Sequence, residues 1–347
     1  MQKRVAVIKG DGVGPELIEA TLKVLRVLDL KNIELILCDA GYEWWEEHGG
    51  DSFIPDKTWE VLKSSSACLK APTTTVPKAG LPKSVAVSIR QAFDLYANVR
   101  PIKTFPNREG PLGKVDFVCV REATEGLYSG LDFRISEDTA ISIRKITRKG
   151  SERIIRFAYN LAKEKNWKKV IVIHKGNILR ESDGLFLEAA RKVAEEYKDI
   201  EMEEYMVDNM AQQLVKNPQR FNQCVLVSTN LFMDILSEEA AALIGSIGCV
   251  YSANFGDNYA MFEPAHGSAP KYKNLNKVNP TATILSAAWM LDYLNEKKYS
   301  KLIFDSTYEV IAEGKYLTYD LGGNSTTWEM AEAIAEKLKK KLSESFY

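Results

Sequence analysis

The segment RVAVIKGDGVGPELIEATLKVLRVL, residues 4–28, carries the reading on which the fold turns. Arg4 to Ile8 is an apolar run of strand length, and Pro15 to Leu28 reads as the helix that follows it. Pro15 suits a first helical turn, because the N–H it lacks has no partner there in any case. A strand, a glycine-rich turn and a helix invite a dinucleotide-binding fingerprint. The glycines, however, fall at 10, 12 and 14, and Pro15 stands where the third fingerprint glycine belongs. The loop is read as glycine in the service of a tight turn.

The same alternation continues along the chain and predicts α/β layers. Further strands are expected at Glu34–Cys38, Ala67–Lys70, Leu95–Val99, Val115–Val120, Thr139–Ile146, Val170–His174 and Val225–Ser228. Helices are expected at Ser151–Lys165, Asp183–Glu196, Pro280–Leu294 and Thr326–Leu342. A length of 347 residues exceeds what one core usually holds, so two domains or lobes are anticipated. With 46 basic and 47 acidic side chains the net charge is −1, which gives no footprint for nucleic acid or an anionic membrane. Five cysteines without CxxC spacing suit reduced thiols in a cytoplasm. The first apolar run is too short for a signal peptide or a membrane span. Three widely separated histidines argue against an imidazole zinc site.

Three arginines stand out between Ser84 and Tyr128. Arg90 lies in KSVAVSIRQAFDLY, Arg100 follows YANV and Arg121 ends FVCVR, each where an apolar element stops. Either they are surface arginines at element ends, or they converge on a multiply charged anion, since unpaired buried charge is costly. In TNLFMDILSEEAA, Asp234 and Glu238 at i and i+4 share a helix face, and that spacing of like charges calls for a nearby cation. Asp208 begins DNMAQQLV. Three carboxylates are hard oxygen ligands suited to Mg²⁺ or Mn²⁺, although spacing alone favours an acidic helix face with a helix cap. Lys175 ends the strand VIVIH, at the edge where open α/β sheets bind ligands, a place where lysines are also commonly just solvated. The irregular EPAHGSAPKYKNLNKVNP projects Lys271 and Tyr272, and a lysine there would favour a phosphorylated cofactor.

Together GDGVGPE, DLYANVRP, VREATEGLYSG, HKGN, NLFMDILSEEAA, EPAHGSAP and YDLGGN resemble, in order, the motifs of the β-decarboxylating dehydrogenases, the isocitrate, homoisocitrate and 3-isopropylmalate dehydrogenase family. The resemblance spans essentially the whole chain. It implies a two-lobed α/β fold, distinct from a Rossmann domain. Residues 1–98 and 254–347 would form a large lobe with most of the cofactor site, and residues 99–253 a small lobe with the interface of a homodimer. Ser84, Arg90, Arg100 and Arg121 would then hold substrate carboxylates. Tyr128 would donate a proton, and Lys175 from the neighbouring subunit would serve the hydroxyl's proton transfer. Asp234 and Glu238, with the neighbour's Asp208, would carry Mg²⁺ or Mn²⁺. The cofactor would lie against Thr75, Asn177, Glu263, His266, Gly267, Ala269, Lys271, Tyr272, Val278, Asn279, Tyr319 and Asp320.

The KAPTTT segment and Ser84 are similar to the isocitrate branch, whereas Ala86 stands where those enzymes usually carry asparagine. Glu238 replaces the usual aspartate. Lys271, Tyr272 and Tyr319 resemble NADP users, although Gly323 replaces an arginine often found in bacterial ones. The resemblance therefore implies NADP-dependent isocitrate oxidation, with NAD as the other cofactor. Homoisocitrate or 3-isopropylmalate are the alternative substrates, and a non-catalytic regulatory subunit is the reading from another class.

Overall fold

The computed structural model describes residues 2–78 and 80–344. Twelve strands lie among these residues: β1 Lys3–Ile8, β2 Ile33–Cys38, β3 Ala67–Lys70, β4 Ala97–Lys103, β5 Asp116–Glu122, β6 Asp132–Ser136, β7 Thr139–Ser142, β8 Lys169–His174, β9 Glu201–Met206, β10 Cys224–Ser228, β11 Tyr251–Phe255 and β12 Ala260–Pro264. Ten form one sheet in the order β2-β1-β3-β12-β11-β4-β5-β10-β8-β9, and β6 and β7 form a separate hairpin. Both flanks of the large sheet are parallel, but β11 runs antiparallel to β12 and to β4, and β4 antiparallel to β5. That antiparallel centre separates the fold from the all-parallel doubly wound sheet of a Rossmann domain.

Alternation along each strand buries both faces. Val118 and Val120 of β5 pack with Ile154, Ile155 and Ala158 of the helix Arg148–Glu164, while Phe117 and Cys119 turn to the opposite side. Ala6 and Ile8 of β1 likewise pack with Val85 and Ile89 of the helix Val85–Ala92, away from Val5 and Val7. Among the described residues no helix is long and apolar enough to cross a membrane.

Several element boundaries differ from expectation. The first helix is Gly14–Leu25 rather than Pro15–Leu28, and the late helix is Thr281–Tyr293 rather than Pro280–Leu294. The strand expected at Leu95–Val99 is Ala97–Lys103, so Arg100 lies inside it and not past its end. Pro101 is tolerated there because β11 pairs with β4 only through Val99, so no ladder bond needs its missing N–H on that side. The strand expected through Ile146 stops at Ser142.

The turn Gly10–Gly14 is built as its glycines require. Gly10 and Gly12 have φ of 66° and 58°, and a side chain at either would collide with the carbonyl oxygen of Pro72 or Ser268. Between them Asp11, fully buried, accepts hydrogen bonds from the backbone N–H of Thr74 (2.7 Å), Glu43 (2.9 Å) and Tyr42 (3.0 Å). Val13 N–H donates to Ser268 O at 2.9 Å, and Glu16 accepts from Asn276 N–H at 2.7 Å. The N-terminal turn thus fastens the irregular 264–280 segment to the sheet.

Candidate active site

Strand register assembles a polar row on one sheet face. Asn98 stands opposite both Arg121 and Asn254, and Asn254 opposite Met261, two residues from Glu263. Lys70 at the end of β3 completes the row through its 2.8 Å ion pair with Glu263. Arg90, on the helix Val85–Ala92, reaches the row from above: its Nε donates to Asn254 Oδ1 at 2.8 Å and its Nη2 to Glu263 Oε1 at 3.1 Å. Burial alone would raise the Glu263 carboxyl. The Lys70 and Arg90 cations and the Asn254 amide outweigh it and hold the group down at about 2.

Arg90, Arg100 and Arg121 converge, each at least nine-tenths buried. The helix Asn230–Ala242 lies against them and presents Asp234 and Glu238. Arg121 Nη1 pairs with Asp234 Oδ1 and its Nε donates to Asn230 Oδ1 at 2.8 Å; Arg100 Nη1 pairs with Glu238 Oε1. The cations that two carboxylates at i and i+4 call for are therefore present. Burial, joined by the repulsion of Arg90, pulls the Arg121 guanidinium down to about 10. It remains a cation at neutral pH. Among the described residues, Arg100 Nε and Arg121 Nη2 are buried with no hydrogen-bond partner, two donors left over for a ligand. Tyr128 OH donates to Asp234 Oδ2 at 2.7 Å, and the Arg121 guanidinium carbon lies 4.7 Å from the Tyr128 ring centroid. Burial raises the Tyr128 phenol above its ordinary range, with the Asp234 hydrogen bond adding to it against the Arg121 charge.

Lys175 and Asp208 sit apart from this group. Lys175 follows β8, Asp208 lies in the first turn of the helix Val207–Lys216, and the two pair with each other at 2.8 Å. The hydrogen bond from Lys175 draws the Asp208 carboxyl below its usual range. Among the described residues of one chain, no three His, Cys, Asp or Glu side chains gather as a metal site. Asp234 and Glu238 supply two oxygen ligands, and the third expected ligand lies elsewhere on the chain.

A second cavity of about 440 Å³ lies behind the sheet, on the side of Val99 and Val118, away from the arginines. The cavity beside the 264–280 segment, about 410 Å³, is lined by His266, Gly267, Ala269, Tyr272, Val278, Asn279, Tyr319 and Asp320, together with Val13, Ser246, Ile247 and Gly248. Asp320 accepts from Asn279 Nδ2 at 2.9 Å and Ser246 Oγ at 2.5 Å, and Tyr272 stacks on Tyr319 with ring centroids 5.8 Å apart. Burial lowers the His266 imidazole below its ordinary value, and its Nε2 has no partner among the described residues. The other four residues expected at the cofactor lie outside this lining: Thr75, Asn177 and Lys271 are exposed, and Glu263 is in the ion network under Arg90. Ser84 caps the Arg90 helix by accepting from Val87 N–H at 3.3 Å, which leaves its own proton free to donate.

Sequence reasoning passed over Asn230 and Asn254, which hold Arg121 and Arg90, and Lys70 and Asn98, which pair with Glu263 and Asn254 behind them. A signal existed in YANVR and YSANF, where one amide interrupts an apolar strand. Lys277, whose Nζ lies 5.2 Å from the Tyr319 ring centroid, was also missed beside the chosen Lys271.

Residues 4–334 match the family model described as isocitrate/isopropylmalate dehydrogenase. The chain is 43% identical to a homoisocitrate dehydrogenase of Methanocaldococcus jannaschii, over 98% of this chain and 99% of the relative. It is 42% identical to an NADP isocitrate dehydrogenase of Thermus thermophilus, over 98% of this chain and 68% of that protein. The crystal structure of isocitrate dehydrogenase from Methylococcus capsulatus superposes with a TM-score of 0.92 at 42% identity, covering 97% of this chain and 100% of that one.

Proposed function

The chain belongs to the isocitrate/isopropylmalate dehydrogenase family, and from that premise we propose that it oxidises and decarboxylates isocitrate to 2-oxoglutarate while reducing NADP. The observation that carries the reading is the trio of buried arginines with two unpartnered N–H groups, a donor set for a substrate bearing several carboxylates. Planar guanidiniums bind such groups bidentately, and the two N–H groups that the chain's own carboxylates leave unused are free for an entering anion.

Arg90, Arg100 and Arg121 orient the substrate. Lys175 of a neighbouring copy takes the substrate hydroxyl's proton, and Tyr128, kept protonated by burial, returns one after carbon dioxide leaves; a nicotinamide, when bound, would supply the hydride acceptor. Asp234 and Glu238 are all-oxygen donors that fit Mg²⁺ or Mn²⁺, with Asp208 of the neighbour as the third. The bound ion supplies Lewis-acid polarisation of the carbonyl and charge stabilisation during decarboxylation. The free O–H of Ser84 supports isocitrate, whose distal carboxylate can accept it. Ala86 keeps homoisocitrate and alkylmalates as the competing substrates. For NADP, the supporting features are the exposed Lys271 and the Lys277–Tyr319–Tyr272 stack beside the cavity.

The homodimer is supported by the β6–β7 hairpin, whose Phe133, Ile135 and Ile141 are 48%, 62% and 43% exposed on a single chain. In that assembly residues 1–98 and 254–347 form the cofactor lobe and residues 99–253 the pairing lobe. A cytoplasmic location is supported by five cysteines that are all free and buried.

The test is a matrix of steady-state rates for isocitrate, homoisocitrate and 3-isopropylmalate with NADP and NAD in the presence of Mg²⁺ or Mn²⁺. The highest kcat/KM is expected for isocitrate with NADP. A faster reaction with either other substrate overturns the substrate assignment, and robust turnover by this chain alone eliminates the regulatory-subunit reading.

A further inference from the structure

Arg144 lies two residues beyond β7, in the sequence ISIRKIT, and has no part in the reaction as drawn above. Its side chain is 15% exposed. Nη1 donates to Asp183 Oδ1 at 2.7 Å and to Ser182 Oγ at 2.8 Å, and Nη2 donates to Thr229 Oγ1 at 2.8 Å. The guanidinium carbon also lies 5.1 Å from the Phe232 ring centroid. Two of these three acceptors lead to functional elements. Asp183 is fully buried, and its second oxygen accepts the backbone N–H of Lys175 at 2.6 Å. Thr229 is the residue that precedes the helix Asn230–Ala242, which carries Asp234 and Glu238.

The neighbouring backbone extends the brace. Lys145 O accepts the N–H of Gly126 at 2.8 Å, two residues before Tyr128. Thr147 donates from N–H to Glu125 Oε2 at 2.9 Å, and Glu125 O accepts Asn230 Nδ2 at 3.0 Å. One extended segment, 144–147, is therefore tied on one side to the turn presenting Lys175 and on the other to the turn presenting Tyr128. The start of the Asp234 helix lies between them.

Asp183 needs a cation, because an unpaired carboxylate buried this deeply is strongly destabilising. A lysine would meet that need. What a single ammonium at the end of a flexible stem does poorly is bridge two acceptors on different elements at fixed angles, which a rigid guanidinium fork does. We propose that Arg144 is a positioning residue, whose fork fixes the turn that presents Lys175 to the neighbouring copy's site against the start of the helix that carries Asp234 and Glu238 of its own site. The proposal rests on the dehydrogenase reading given above.

The experiment compares Arg144→Lys, Arg144→Ala and Thr229→Val with the wild type in the full chain, by steady-state kinetics, thermal midpoint and titration of NADPH fluorescence. Arg144→Lys is expected to fold and to bind NADPH as the wild type does, while kcat drops about 100-fold, the order of loss that a misplacement of about 1 Å brings. The KM for substrate is expected to change little. Thr229→Val is expected to lower kcat in the same direction, and millimolar guanidinium is expected to raise the rate of a folded Arg144→Ala enzyme. An Arg144→Lys enzyme with wild-type kcat overturns the proposal. So does a lowered thermal midpoint with unchanged kcat in both Arg144→Lys and Thr229→Val, and these two variants decide the matter if Arg144→Ala does not fold. A wild type inert towards all three substrates defeats the dehydrogenase reading instead, whereas an active wild type beside a fully active Arg144→Lys defeats only this inference.

Discussion

Replacing Glu263 by glutamine keeps the shape of the side chain and removes the one anion shared by Lys70 and Arg90. Lys70 is 2% and Arg90 7% exposed, so the two cations would remain facing an uncharged amide in the interior. Breaking a buried pair in this way costs about 3–5 kcal/mol. The titration of the carboxyl gives a second route to the magnitude. Its value falls from an ordinary 4.5 to about 2 in the folded protein, which at 1.36 kcal/mol per unit amounts to about 3 kcal/mol. The folded value is depressed, so this stability is fully present above 4.5 and is lost as pH falls from there towards 2. Urea unfolding of wild type and Glu263→Gln across a pH series should therefore show a gap of about 3 kcal/mol at neutral pH that narrows in acid. At neutral pH the variant should also bind substrate more weakly, because the amide oxygen that still accepts from Arg90 Nη2 carries no charge to hold the guanidinium in place. A stability loss under about 1 kcal/mol, or a gap that does not change with pH, would refute the reasoning.

Tyr128→Phe removes the proton donor but keeps the ring beneath Arg121. It should lower kcat by about 10²–10⁴-fold with KM close to wild type, and unchanged turnover in a steady-state assay would remove Tyr128 from the chemistry. Lys271→Asp should lower the ratio of NADP to NAD efficiency by about tenfold or more, the worth of one charge-assisted hydrogen bond. If the ratio stays put, the cofactor phosphate is held by other groups, Lys277 foremost. Charging the hairpin with Phe133→Asp and Ile135→Asp should shift sedimentation from dimer to monomer and abolish turnover, since Lys175 and Asp208 would then be missing from each site. A variant that still sediments as an active dimer would place the interface elsewhere.

Much of the site could be read along the chain because its chemistry is local. The i, i+4 spacing of Asp234 and Glu238 puts them on one helix face whatever the helix packs against. The missing fingerprint glycine at Pro15 likewise spoke against a Rossmann loop before any strand order was known, and the mixed sheet bears this out. Local signals failed where an element depends on its neighbours. The strands β11 and β12 are five residues each and carry buried polar side chains, Asn254 and Glu263, so no apolar run marked them. The helix Lys297–Glu313 was passed over, although it buries Ile303, Val310 and Ile311 along one side.

By itself the sequence determined which residues carry charge, which side of its own strand or helix each occupies, and where the chain turns, because these follow from side-chain chemistry and from periods of two and 3.6 residues. Only the tertiary structure decided that Lys70, Glu263, Asn254, Asn98, Arg100 and Arg121 share one face. A period of two fixes the side within a strand, but strand order and register, set by contacts across the chain such as the 173 residues between Arg90 and Glu263, fix which strands adjoin and which sides coincide. That register brings Arg100 and Arg121 to one face, and Asn254 and Glu263 of the same face hold Arg90 there from its helix.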